Sequence, residues 1–293
     1  MLYSNPFLVL TSFSKLHTLF TPILSNMMNP FSKLSECKPK PLATIASYLD
    51  SNENAYPLGV LHPQFNKPSL LKYFRATVSI STAQKNADGQ SGLLILGWGG
   101  MGKTVLINTI AHTALTAGHK VINYSPFDIE VKQGPQGMTN FTNANEFNAA
   151  LTELHDSDLS TPAVVIIDAV EAYLTLGWDR GEVSTWSIAD LLAMKTKLEK
   201  KFSDKILFIF TLGDLEQLEM LSLLRSNVAL TVTGKIGAHH DIGKLYNGST
   251  SHIFYFIASL KPGEFVIVEQ EHTEKKGYYP PFFKALHLHK ATY

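Results

Sequence analysis

One segment of eight residues, Gly97-Trp98-Gly99-Gly100-Met101-Gly102-Lys103-Thr104, constrains the fold of this chain more than any other. It matches the pattern G-x-x-x-x-G-K-[ST] at every fixed position. The apolar run Leu93–Leu96 precedes it, and a helical pattern extends from Lys103 to Ala117, where Gly118 closes it. A glycine-rich loop at a helix N-terminus presents several backbone N–H groups to an anion, so the segment is predicted to bind phosphate groups.

The last two residues of this motif have separate tasks. Lys103 is expected to reach the β- and γ-phosphates of a nucleotide, and the Thr104 hydroxyl to ligate Mg²⁺. Asp168 follows the apolar strand Ala163–Ile167 and is expected to be the second magnesium residue, beside the loop at the C-terminal edge of the sheet. The predicted cofactors are therefore ATP or another NTP, and Mg²⁺. The predicted nucleotide contacts are Gly97, Gly99, Gly100, Met101, Gly102, Lys103, Thr104 and Val105.

Apolar runs and helical patterns alternate regularly beyond Gly92. This alternation predicts an α/β fold, with a mostly parallel sheet and helices on both faces. The last three predicted strands have no helix between them, so a mixed or antiparallel edge is expected at the C-terminal end. Strands are predicted at residues 77–80, 93–96, 120–124, 163–167, 206–210, 228–232, 253–257 and 265–268, and helices at 103–117, 143–154, 187–202 and 214–224.

Four segments are expected along the chain. They are an N-terminal arm (1–40), a small N-terminal domain (41–90), the nucleotide-binding core (91–235) and C-terminal strands with a tail (236–293). The break after the arm rests on two helix-breaking prolines, Pro39 and Pro41. No apolar run approaches the ~20 residues that span a bilayer, so no membrane partner is expected. One cysteine, Cys37, cannot form an internal disulfide and suits a reducing compartment.

Hydrolysis also needs a carboxylate that orients and deprotonates the attacking water. The strand Lys120–Tyr124 lies in sequence between the loop and the Asp168 strand, an order that suits NTPases with a strand inserted between these two. In RecA-like members a glutamate just after the inserted strand does this work, and here Asp128 and Glu130 occupy that region. Glu130 is preferred because its side chain is longer, and two solvated loop acids are the alternative. Glu171 is interpreted as a capping or surface residue.

Arginine is scarce, because only Arg75, Arg180 and Arg225 occur in the chain. Arg225 lies at the end of the helix before the strand at 228–232. It could stabilise charge on the γ-phosphate across a subunit boundary, or it could be a helix-end cation that faces the C-terminal dipole.

The loop around Arg180 carries the second candidate arginine. Trp178 and Arg180 follow the Asp168 strand, and in ring-shaped motors that loop faces the central channel, where charge and stacking could engage a single strand. Lys195 and Lys197 on the following helix could add to this contact, although a solvated helix face explains them equally well.

The core over residues 92–234 resembles the RecA-like hexameric NTPases, and among them the packaging NTPases of the cystoviruses. The likeness rests on the phosphate loop, the region up to Glu130, the run Val164–Asp168, the Gly-rich stretch to Ser187, and Arg225-Ser226-Asn227. It implies a homo-hexameric ring that hydrolyses NTP to move single-stranded RNA into a viral capsid, in the virion or the host cytoplasm. It also implies that Arg225 acts in trans and that the Arg180 loop moves RNA.

One feature departs from that family. A polar sensor residue is expected after the strand at 206–210, where this chain has Thr211-Leu212-Gly213-Asp214.

Three other functions remain open at this point. The first alternative is a RecA-like ATPase or helicase that acts on DNA in recombination or replication. A metabolic kinase would place its Asp on the first strand after the loop helix and would carry an Arg-rich lid, which this chain lacks in sequence. The last alternative is a scaffold protein that binds a nucleotide but does not hydrolyse it. The formal net charge of zero, with 25 basic and 25 acidic residues, argues only against a protein that coats duplex nucleic acid.

Overall fold

The computed structural model describes residues 55–61, 77–86, 88–126, 134–171, 184–213, 218–236, 257–258, 260–268 and 284–287. The strands of these ranges form one sheet: β1 (Ala55–Leu61), β2 (Thr77–Ser81), β3 (Leu93–Leu96), β4 (Lys120–Tyr124), β5 (Thr139–Phe141), β6 (Ala163–Ile167), β7 (Ile206–Leu212), β8 (Leu230–Thr233), β9 (Glu264–Val268) and β10 (Lys284–His287). Their helices are α1 (Lys103–Thr116), α2 (Ala144–Asp156), α3 (Ile188–Phe202) and α4 (Leu218–Ser226).

The strand order in the sheet is β2-β1-β10-β9-β8-β3-β7-β6-β4-β5. Every neighbouring pair from β8 to β5 is parallel. The strands from β8 to β2 pair antiparallel. The predicted α/β class, with a mostly parallel sheet and a mixed edge, is therefore confirmed.

One detail of the predicted topology is wrong. The strand that lies between β3 and the Asp168 strand β6 is β7, whereas β4 (Lys120–Tyr124) lies on the far side of β6. The prediction relied on the order of the strands along the chain. β7 follows β6 in sequence, but in the sheet it lies between β6 and β3 and pairs with both. The end of β7 therefore lies beside the end of β3, where the phosphate loop begins, and the sequence analysis did not predict site residues there.

Opposite faces of the sheet carry α1 and α3. Leu207 and Ile209 of β7 belong to the apolar cluster that contains the buried side of α1. Phe208, which lies between them, has the ammonium of Lys195 from α3 at 6.0 Å from its ring centroid. Since neighbouring residues of a strand point to opposite faces, the two helices cover opposite sides. Strands β3, β6 and β7 are buried throughout, as their unbroken apolar sequences predict.

Local signals explain where the helices begin. Ser187 caps α3 in a capping box with Asp190, and Asn143 caps α2 by accepting from two backbone N–H groups. β8 begins two residues later than predicted, and the first four residues of the predicted helix at 214–224 lie outside the described residues. The predicted strand at 253–257 lies almost entirely outside the described residues, which include only residue 257 of it.

Strands β1 and β5 were not predicted. β1 joins the sheet only through partners that are distant in sequence, β2 and β10. Its Tyr56 is buried against the segment after α1, where its hydroxyl lies 3.0 Å from Nδ1 of His119. β1 and β2 thus continue the sheet of the core, and the division of the chain into four segments stays a prediction. No helix of the described ranges is long and apolar enough to cross a membrane.

Candidate active site

The phosphate loop connects the end of β3 to the start of α1, as the motif predicts. Gly100 and Gly102 adopt φ values of 77° and 97°, in the left-handed region where a side chain would strain the backbone. Gly102 is the residue directly before α1, so its conformation turns the chain into the helix. The glycines therefore shape the loop so that its N–H groups and the helix N-terminus face the same space.

Two neighbouring strands hold the start of the loop. The N–H of Gly97 donates to the carbonyl of Leu212 in β7 at 3.2 Å, and that of Trp98 donates to Lys235, after β8, at 3.0 Å. The Trp98 indole is nevertheless 49% exposed. The loop backbone is thus fixed from both sides while its one aromatic side chain remains accessible.

A turn before β9 contacts the middle of the loop. The N–H of Gly263 donates to the carbonyl of Met101 at 2.9 Å. In the same turn, the buried carboxylate of Glu264 accepts from the backbone N–H of Lys261 at 2.8 Å. The C-terminal strands therefore reach the phosphate loop, a contact that the sequence analysis missed because the turn and the loop are far apart in sequence.

Lys103 lies in the first turn of α1 and folds back over the loop. Its ammonium donates to the carbonyl of Gly97 at 2.6 Å and to that of Trp98 at 3.2 Å. These bonds hold the positive charge at the mouth of the loop, where the motif predicts it. Thr104 follows in the same turn, and the neighbouring Val105 is 41% exposed.

Asp168 follows β6 directly and is 6% exposed. Its Oδ1 accepts from the Thr211 hydroxyl at 2.5 Å. The N–H of Ala169 donates both to that Oδ1, at 3.1 Å, and to the Thr211 hydroxyl, at 2.8 Å. Ala169 has a φ of 52°, so the backbone is strained immediately after the carboxylate. Thr211 thus provides a polar contact to Asp168 at the end of β7, close to the position where the sequence analysis expected a polar sensor residue.

Glu171 is the functional candidate that sequence reasoning missed. Its Oε1 accepts from the backbone N–H of Gly213 at 2.9 Å. Burial is the main cause that raises the pKa of Glu171; backbone hydrogen bonds and Lys103 oppose the shift, and Asp168 adds to it. The carboxylate therefore lies in the electrostatic field of both motif residues. Glu171 is partly buried and caps the N–H of Gly213, which agrees with the capping interpretation; only the fold reveals this partner, because Gly213 is 42 positions away.

The oxygen ligands at this edge fit a magnesium ion. Mg²⁺ prefers oxygen ligands, keeps several waters, and is usually bound by one or two protein groups together with substrate phosphates. The Thr104 hydroxyl and the Asp168 carboxylate are such groups, and the Thr211 hydrogen bond orients one oxygen of Asp168. Within the described residues there is no cluster of three or more His, Cys, Asp or Glu that would instead form an all-protein metal site.

The structure contradicts one predicted nucleic-acid contact. Lys195 is fully buried in α3, and its ammonium forms an ion pair with Glu199 at 2.6 Å. It cannot contact a nucleic acid from that position, because its side chain has no exposed surface and its ammonium is bound by Glu199 and Gln90 of the same fold. Lys197, two residues on, is exposed. Arg180 lies outside the described residues, as do Asp128 and Glu130.

Arg225 lies in the last turn of α4. The strand that follows it, β8, begins at Leu230 beside Leu93, the first residue of β3. The phosphate loop instead follows the last residue of β3, at the other edge of the sheet. Arg225 is therefore at the edge away from the loop of its own subunit, and a role across a subunit boundary stays a prediction.

The strand order, with a phosphate loop between β3 and α1, is that of the RecA-like α/β fold. No protein-family model and no curated protein matches this chain. Among solved structures, the conjugation coupling protein TcpA of pCW3, in a monomer form with ATPγS, is similar with a TM-score of 0.52 and 12% identity over 84% of this chain and 68% of TcpA. The cytoplasmic domain of the type VII secretion ATPase EccC from Thermomonospora curvata is similar with a TM-score of 0.55 and 12% identity over 86% of this chain.

The likeness to these structures is one of fold. This chain spans only 28% of the length of the EccC domain. The genome packaging NTPase B204 from Sulfolobus turreted icosahedral virus 2, in complex with ATPγS, has a TM-score of 0.47 and 12% identity, over 68% of this chain and 98% of B204. The resemblance to cystovirus packaging NTPases stays a prediction.

Proposed function

We propose that this chain binds NTP with Mg²⁺ and hydrolyses it, and that hydrolysis drives single-stranded RNA through a homo-hexameric ring into a viral capsid. The observation that carries the hydrolysis is the meeting of Lys103, Asp168 and Glu171 at one edge of the sheet. A Cβ on Gly213 would lie 2.9 Å from Oε1 of Glu171 and 3.7 Å from Nζ of Lys103, and Asp168 is hydrogen-bonded to Thr211, two residues before Gly213, so one cation and two carboxylates lie near the phosphate loop. Phosphoryl transfer requires this combination of positive charge, metal ligand and water-orienting carboxylate.

The residues of the chain divide the work as follows. N–H groups of the loop and of the first turn of α1 bind the phosphate oxygens, and Lys103 offsets negative charge on the β- and γ-phosphates. Thr104 and Asp168 would hold Mg²⁺, which when bound neutralises charge that develops on the phosphates. Thr211 keeps the Asp168 carboxylate in one orientation through its hydrogen bond. Val105 and Met101 complete the nucleotide contacts on either side of Gly102 and Lys103.

A motor is favoured over a metabolic kinase by the order of strands along the chain. Asp168 follows β6, and β4 and β5 come between α1 and β6 in sequence, whereas a metabolic kinase would place its Asp on the first strand after the loop helix. Two neighbours with TM-scores above 0.5 are named a conjugation coupling protein and a secretion ATPase, which supports a role in transport. The runner-up is a RecA-like ATPase or helicase acting on DNA.

The ring and the strand contacts form the finer part of the proposal. Arg225 would act on the γ-phosphate of a neighbouring subunit, which its position at the edge away from its own loop allows. Arg180 and Lys197 would contact the RNA, and Glu130 and Glu171 are rival candidates for the water-activating carboxylate. The protein would act in the virion or the host cytoplasm.

The test is nucleic-acid stimulation of NTP hydrolysis. We expect single-stranded RNA to raise kcat of the wild type, and Lys103→Ala to lower both basal and stimulated kcat/KM by about 10²–10³-fold. Lys120→Ala is a matched control, because Lys120 is an exposed lysine at the start of β4, at the edge away from the loop. Stimulation by DNA alone would favour the runner-up, and no stimulation by either polymer would contradict the motor. Native mass spectrometry that finds only monomers with nucleotide present would contradict the trans role of Arg225.

A further inference from the structure

Gly213 lies where two charged side chains approach each other. It follows β7 directly, and a Cβ placed on it would be 2.9 Å from Oε1 of Glu171 and 3.7 Å from Nζ of Lys103. The carboxylate and the ammonium therefore both lie within 4 Å of one empty position next to the phosphate loop. The φ of Gly213 is not in the left-handed range. Glycine is thus required here for space and not for backbone conformation.

The same glycine orients the carboxylate. Its N–H donates to Oε1 of Glu171 at 2.9 Å, which leaves the carboxylate held at the end of β7 between the Asp168 strand and the loop strand. Gly97, the first loop residue, is tied to Leu212, the residue before Gly213, by a backbone hydrogen bond of 3.2 Å. The position of Glu171 is therefore coupled to the position of the loop through two adjacent backbone groups.

We propose that Glu171 orients the attacking water and accepts its proton, and that Gly213 provides the space and the hydrogen bond that place it. This rests on the NTP hydrolysis proposed above. The water oxygen forms a bond to the γ-phosphorus while the bond from that phosphorus to the β,γ-bridging oxygen breaks. The bridging oxygen leaves with the nucleoside diphosphate. One water proton passes to the Glu171 carboxylate and from there to the released phosphate or to solvent.

Two features of the surroundings suit this work. Burial raises the pKa of Glu171, so the carboxylate accepts a proton more readily than an exposed glutamate does. The Lys103 ammonium lies close to the same position, 3.7 Å from where a Cβ of Gly213 would be, and would stabilise the negative charge of the phosphates that the water attacks.

The decisive experiment compares Glu171→Gln, Glu130→Gln and the exposed control Glu153→Gln of α2 with the wild type. Single-turnover hydrolysis gives the chemical step, and equilibrium binding of a fluorescent ATP analogue gives affinity. We expect Glu171→Gln to slow hydrolysis by about 10²–10⁴-fold with analogue affinity retained, which is the usual effect of losing a general base. Glu153→Gln should hydrolyse ATP like the wild type, and Glu130→Gln should retain more activity than Glu171→Gln.

The outcomes separate this inference from the proposed function. Hydrolysis by Glu171→Gln at the wild-type rate, or loss only in Glu130→Gln, would overturn the assignment of Glu171 and leave the NTPase intact. A loss of analogue binding in Glu171→Gln would also overturn it, since that points to a structural role. A wild type that does not hydrolyse NTP would overturn the proposed function and this inference together.

A second variant tests the role of Gly213 without relying on Glu171 alone. In Gly213→Ala the new Cβ would lie within 3 Å of Oε1 and displace the carboxylate. We expect slower hydrolysis in the wild-type background and no further loss when Glu171→Gln is already present, because the two residues act as a unit. Additive losses in the double variant would contradict the proposal.

Discussion

The hydroxyl of Thr211 donates a 2.5 Å hydrogen bond to Oδ1 of Asp168 across two neighbouring strands. The register of β6 and β7 explains the pairing, because Ile167 lies beside Phe210, so the next residue of each strand meets the other. A residue of the inserted strand thus orients the carboxylate that would hold the metal ion. The Asp168 side chain is buried, so its orientation depends on this contact and on the strained turn at Ala169.

Replacement of this hydroxyl should weaken both the fold and the metal site. Thr211→Val keeps the shape of the side chain, but Asp168 and the N–H of Ala169 each lose a hydrogen-bond partner. We expect a loss of about 1–3 kcal/mol in the free energy of unfolding, measured in urea, and a higher Mg²⁺ requirement for hydrolysis. Thr211→Ser should restore both. Wild-type stability and Mg²⁺ dependence in Thr211→Val would show that the bond contributes nothing.

The buried ion pair of α3 should be a stability element. Lys195→Ala would leave the Glu199 carboxylate with the Ser91 hydroxyl but without its buried cation. The expected cost is about 3–5 kcal/mol of unfolding free energy, measured by chemical denaturation. Lys200→Ala, a change of an exposed lysine on the same helix, should stay within about 0.5 kcal/mol. Equal stability of these two variants would contradict the buried pair.

Glu171 should reduce stability at neutral pH. Its pKa is raised from 4.5, so the folded state holds the proton more tightly than the unfolded chain does. The stability that this group contributes is therefore complete below pH 4.5 and is lost as the pH rises through its folded-state pKa.

The sign of this effect can be measured with Glu171→Gln, which does not titrate. At about pH 8 the variant is expected to have a higher Tm than the wild type, and the difference should shrink as the pH falls toward 4.5. The control Glu153→Gln should show no such convergence. A variant that is less stable than the wild type at pH 8 would contradict the raised pKa.

The turn before β9 should influence nucleotide affinity. Glu264→Ala removes the carboxylate that accepts from Lys261, and this loosens the turn whose Gly263 holds the Met101 carbonyl. We expect Kd for an ATP analogue to rise by about tenfold, which corresponds to roughly 1.4 kcal/mol, the order of one hydrogen bond. Glu264→Gln retains an acceptor and should bind nearly normally. Unchanged affinity in Glu264→Ala would show that the turn does not position the loop.

The sequence predicted the features of this molecule that depend on neighbouring residues. The loop, its flanking strand and helix, and Asp168 at the end of β6 are visible because glycine spacing and an unbroken apolar run are local patterns. Contacts between distant segments were not visible. Glu171 gained a role only because Gly213 comes back beside it. Lys195 appeared to belong to a solvated face because its partner Gln90, and Ser91, which donates to its ion-pair partner Glu199, are about a hundred residues away.

The same limit explains the errors in topology. A strand such as β7 can be recognised from its sequence, but the strand beside which it lies depends on the whole sheet. The edge strand β5 carries a weak pattern, since it has three residues and none of them is fully buried.

The most direct test of the account is the rate of ATP hydrolysis by the wild type, Lys103→Ala and the control Lys120→Ala, measured with Mg²⁺ present. The Lys103 ammonium lies at the mouth of the loop, 2.6 Å from the carbonyl of Gly97, so its removal should affect phosphate binding directly. We predict hydrolysis by the wild type and by Lys120→Ala, and a kcat/KM lower by about 10²–10³-fold in Lys103→Ala, or roughly 3–4 kcal/mol of transition-state stabilisation. Equal activity of all three proteins, or none in the wild type, would contradict the account.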